Sequence, residues 1–73
     1  MNRTAYTKAA RNAIEGTLTA SRQAGLKPAN TERLFYQVLR ELNLILESGE
    51  VPDKVVDTAV NRAMLAMSTK VGS

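Results

Sequence analysis

Glu50, Asp53 and Asp57 are the carboxylates in this 73-residue chain whose spacing comes closest to a cation site. Asp53 and Asp57 are four residues apart and would share a helical face, and hard divalent cations take carboxylate oxygens. The spacing fits no calcium-binding loop, and acids in the first turn of a helix are already explained by its dipole. The expectation is therefore a solvated helix start and no metal. Glu47 and Glu50 form at most a local acidic cluster. Proton transfer and nucleophilic attack lack their usual carriers, because the chain has no histidine and no cysteine. That composition also excludes disulfides and Cys- or His-based metal sites. The four glycines are scattered at positions 16, 25, 49 and 72, which makes no phosphate-cradling loop. The reading is a protein that is not an enzyme, with no cofactor and no small-molecule substrate.

The cations are more suggestive. Residues 1–30 hold five basic residues (Arg3, Lys8, Arg11, Arg22 and Lys27) against one acid, Glu15. Lys8, Arg11 and Arg22 fall on one side of the first helix, with Arg3 in its lead-in, and such a stripe can track phosphates. Glu15 interrupts it, and a solvated charged face explains the same residues. A helix-turn-helix reading would place Lys54, Thr58, Asn61 and Arg62 of the third helix against bases. Asp53 and Asp57 would then meet phosphates, which argues against it. Only Tyr6 and Tyr36 are available for base stacking, since Phe35 is expected in the core. Nucleic-acid binding through the N-terminal basic face is thus the alternative function.

Helical periodicity supplies the elements that must carry these residues. Two turn signals, Gly25–Asn30 and Ser48–Pro52, divide three segments near 4–24, 31–47 and 52–68, with no strand alternation. In the first, Tyr6, Ala10, Ala13, Ile14, Thr17, Leu18 and Ala24 group on one side, with Gly25 placed to end the helix in the left-handed region. Tyr6, Ile14 and Leu18 are its only large core candidates, so it should be the least firmly held. The second segment is the strongest signal: Leu34, Phe35, Val38, Leu39, Leu42, Ile45 and Leu46 span an arc of about 140°. Asn30 or Thr31 is placed to cap it. In the third, starting at Pro52, the apolar set spans close to 180°, more than one neighbour covers. The expected core is Phe35, Val38, Leu42, Ile45, Val56, Val60, Ala63 and Met67.

These elements make one all-α domain over residues 1–73. It is a three-helix bundle, or a helical hairpin with a basic amphipathic N-terminal helix, and it is expected to be oligomeric. A domain of this size buries only about 60% of the surface its unfolded chain exposes and usually needs a staple. Self-association is the staple left open by the composition. Tyr36, Leu44 and Leu65 lie outside the main apolar arcs and, with Met64, form the candidate self-association surface. The functional expectation is a non-enzymatic regulator or adaptor that acts by protein–protein interaction as a homodimer, with itself and an unidentified protein as partners. No window approaches 18 consecutive apolar residues, so no membrane span is expected. Met1–Arg11 is polar and basic with no signal-peptide apolar stretch, and cytoplasm is the expected compartment.

Overall fold

The computed structural model describes residues 3–72 and contains three helices: α1 (Arg3–Ala24), α2 (Pro28–Ser48) and α3 (Val55–Gly72). No strand occurs among the described residues. Short connections at 25–27 and 49–54 leave consecutive helices antiparallel. α1 packs on both α2 and α3, so the chain closes as a bundle and not as a hairpin with a loose arm. The radius of gyration is 11.9 Å, close to the ~11 Å of a compact chain of this length.

Glycine ends α1 as its sequence predicts. Gly25 sits at φ 67°, its amide reaches the Arg22 carbonyl at 3.2 Å, and the Leu26 amide reaches the Ser21 carbonyl at 3.0 Å. These two bonds are the Schellman pair, and Leu26 folds back on the core. Gly49 closes α2 in the same region, at φ 80°.

Two helix starts differ from expectation. α2 begins at Pro28, three residues before Thr31, with Lys27 in the cap position and no side-chain cap. Proline at the first helical position sacrifices an amide that would have no partner anyway and arrives with the helical φ already set. Asn30 and Thr31 are therefore inside the helix: the Thr31 amide bonds the Lys27 carbonyl at 2.9 Å. α3 begins at Val55, because Asp53 and Lys54 form a turn after Pro52. Its first bond runs from the Thr58 amide to the Lys54 carbonyl at 3.0 Å. At its other end α3 continues past Ser68.

The core is centred on α2, which buries Leu34, Val38, Leu42 and Ile45. Ala59, Val60 and Ala63 meet them from α3, and Ala9 and Ala13 from α1. Val56 and Met67 pack against this cluster while partly exposed. Phe35, expected at the centre, is only half-buried. At 100° per residue the buried four of α2 span about 80°, and Phe35 falls on the flank of that arc.

The larger correction concerns α1. Ile14 and Leu18 are not core residues: they are 49% and 43% exposed. The inward stripe is Ala9, Ala13, Thr17 and Ser21, four residues apart and all buried, with Tyr6 and Ala20 packed beside it. Ala24, also placed on the apolar side, is exposed. Gly16 marks how close the approach is. A Cβ there would lie 3.2 Å from Val56 Cγ1 and 3.4 Å from Val60 Cγ2. Small side chains let α1 sit near α3, and the bulky residues are turned outward as a consequence.

Candidate interaction surfaces

Two contacts assign the edges of α1. Gly16 faces Val56 and Val60 of α3. On the opposite edge the buried Ser21 hydroxyl bonds the Thr31 hydroxyl of α2. The Thr31 hydroxyl also lies 3.1 Å from the Lys27 carbonyl. The resulting chain, Ser21 to Thr31 to Lys27, ties the end of α1 to the first turn of α2.

Ile14 and Leu18 lie beyond the Ser21 edge, at about 100° and 140° from Ala13 around the helix, and so toward α2. The Ser21–Thr31 pair also sets the register. Counting back along antiparallel helices of equal rise brings Leu18 level with Leu34 and Ile14 level with Val38, so Phe35 and Leu39 each lie one residue, about 1.5 Å, further along α2. Phe35 and Leu39 are half-buried on that same flank. Tyr36, exposed, stands next to them with its ring tilted 54° to that of Phe35 at 6.1 Å between centroids. The α1–α2 face is therefore an apolar surface built from residues that the sequence pattern assigns to the interior.

The other side of α2 borders α3 across an open groove of about 1180 Å³. Tyr36, Leu44 and Met64 of the candidate self-association set line it together, joined by Met67, Leu26, Arg33 and Arg40. Leu65 does not line it and is exposed elsewhere on α3. The sequence reading missed the contribution of Leu26, Arg33 and Arg40; their spacing along the α2 side carried the signal for the two arginines.

Of the basic set, Arg3, Lys8, Arg11 and Arg22 are all exposed. The first three line a shallow cleft on α1 with Thr4, Thr7 and Asn12, while Arg22 is apart from it. Thr7 spends its hydroxyl proton on the Arg3 carbonyl at 2.9 Å. The polar residues of α3 named for base reading are mixed: Lys54, Asn61 and Arg62 are exposed and Thr58 is half-buried. Asp53 and Asp57 are exposed, and no group of three or more carboxylates among the described residues is arranged to hold a metal ion. No described helix is long and apolar enough to cross a membrane.

Comparison of the chain with models of protein families, with curated proteins and with solved structures finds no match.

Proposed function

We propose that this protein is a non-enzymatic helical interaction module that works as a symmetric homodimer joined through its α1–α2 face, and that it binds a further protein. The observation that carries this reading is the inverted packing of α1: alanine, threonine and serine inside, isoleucine and leucine outside. A helix serving only its own bundle gains most by burying its largest apolar side chains, each worth about 1.5–3 kcal/mol when removed from water. α1 forgoes that gain within the chain, and a second copy of the same face restores it. An isologous contact needs one patch that matches itself, and Ile14 and Leu18 of α1 lie beside Phe35 and Leu39 of α2, offset by about one residue's rise. The chain has neither disulfide nor histidine or cysteine for a metal, so association is the remaining supplement to a small core.

Sedimentation equilibrium across the micromolar range tests it. The wild-type chain should sediment at twice its 8.0 kDa mass, and Leu18→Arg should sediment as a monomer with its helical circular dichroism intact. A wild type that stays at the monomer mass throughout, or a Leu18→Arg variant that remains dimeric, removes the α1–α2 dimer.

A further inference from the structure

The groove between α2 and α3 lies on the other side of α2 from the α1–α2 face and meets it only at Tyr36, and its chemistry points to a different occupant. Its apolar lining comes from Tyr36 and Leu44 of α2 and from Met64 and Met67 of α3. Methionine side chains are flexible and polarizable and adapt to apolar groups of varied shape. Arg33 and Arg40 line the same groove and are exposed. They are seven residues apart, two turns of α2, which puts them on one stripe about 10 Å apart along the axis. Glu41 also lines the groove and is half-buried, one acid against the two exposed arginines.

We infer that this groove docks an acidic amphipathic helix of a partner protein, whose apolar face lies on Met64, Met67 and Leu44 and whose carboxylates, two turns apart, pair with Arg33 and Arg40. The two-turn repeat of the arginines is itself the helical spacing, so one straight helix lying along α2 satisfies both. Planar guanidinium groups suit carboxylates in two-pronged contacts. Apolar burial supplies the attraction in such helix-in-groove complexes, and the charges set partner choice and speed encounter. This inference extends the protein-binding half of the proposed function and does not depend on the dimer, which uses another face.

The test uses the full chain with methyl-labelled methionine and two synthetic amphipathic peptides of identical leucine face. One carries two glutamates two turns apart on its polar flank, and its twin carries lysines there. The glutamate peptide should give saturable shifts of the Met64 and Met67 methyl signals, and the lysine twin should bind roughly tenfold more weakly at low salt. In the double variant Arg33→Glu, Arg40→Glu the preference should reverse, which also covers the case in which one substitution alone has little effect. Three results overturn the proposal: no saturable shift with either peptide, equal affinity for both, or methyl signals that move with protein concentration before any peptide is added. The last would mean that a second copy fills the groove.

Discussion

α1 and α2 are nearly equal in length, 22 and 21 residues, and lie side by side, yet they use their large side chains in opposite ways. α2 points Leu34, Val38, Leu42 and Ile45 into the bundle. α1 points Ala9, Ala13, Thr17 and Ser21 inward and leaves Ile14 and Leu18 outside. Burial by area makes α2 the source of most hydrophobic stabilisation. α1 holds its place by closeness, with a glycine against two valines and a hydroxyl bond to the next helix. An amphipathic stripe thus need not be the buried stripe: where small residues also repeat every four positions, the small side can win because it brings backbones together and gains contacts along the whole helix.

The contrast is broken most severely in α2. Leu42 is completely buried, and Leu42→Ala should cost about 2–5 kcal/mol, the transfer term plus the cavity left behind. For a domain of this size that is a large part of the total. Urea denaturation at fixed protein concentration measures it, and fixing the concentration matters because association contributes to apparent stability. A loss under about 0.5 kcal/mol would mean that α2 is not the centre of the core.

The legibility of the sequence follows the same division. The arc of α2 could be read because large side chains at helical spacing have only one compact arrangement, and Gly25 and Gly49 punctuated the chain where a left-handed residue was needed. The start of α2 was harder, since Pro28 belongs equally to a preceding loop and to a first helical turn until the Thr31–Lys27 bond is seen. The orientation of α1 was misread because hydrophobicity weighted Ile14 and Leu18 above the alanines. The period-four run Ala9, Ala13, Thr17, Ser21, with Gly16 at its edge, held the opposite signal. Of the candidate surface, Tyr36, Leu44 and Met64 converge on one groove, whereas Leu65 stands outside it. Residues on different helices are related by packing angle and register, which no single-helix pattern contains.

A second perturbation sharpens the comparison from the α1 side. Replacing Gly16 by leucine pushes a branched side chain into the contact with Val56 and Val60, where even a Cβ is at 3.2 and 3.4 Å. Overpacking of this kind should cost about 1–3 kcal/mol. Gly16→Ala should be close to neutral by contrast. Its helix-propensity gain of about 1 kcal/mol is opposed by the tight Cβ contact. If Gly16→Leu unfolds at the wild-type urea midpoint, α1 does not depend on close approach to α3.

The smallest expected effect has the opposite sign and comes from within the small-residue stripe. Thr17 and Ser21 are adjacent along it and both buried, but their hydroxyls differ in circumstance. Ser21 has its partner in Thr31, whereas Thr17 Oγ1 has none among the described residues. A buried hydroxyl without a partner keeps its desolvation cost and recovers nothing for it. Thr17→Val exchanges that hydroxyl for a methyl of nearly the same shape, at similar helix propensity, and should stabilise the fold by about 1 kcal/mol. For a chain of this length that corresponds to a rise in melting temperature of roughly 4–8 °C. Ser21→Ala should move the other way by about 0.5–1.5 kcal/mol, because it removes a bond that is made. Paired thermal melts of the two variants at one concentration read both signs. A destabilised Thr17→Val would show that the hydroxyl is satisfied in solution, and that α1 is held by a polar contact at its centre as well as by close packing.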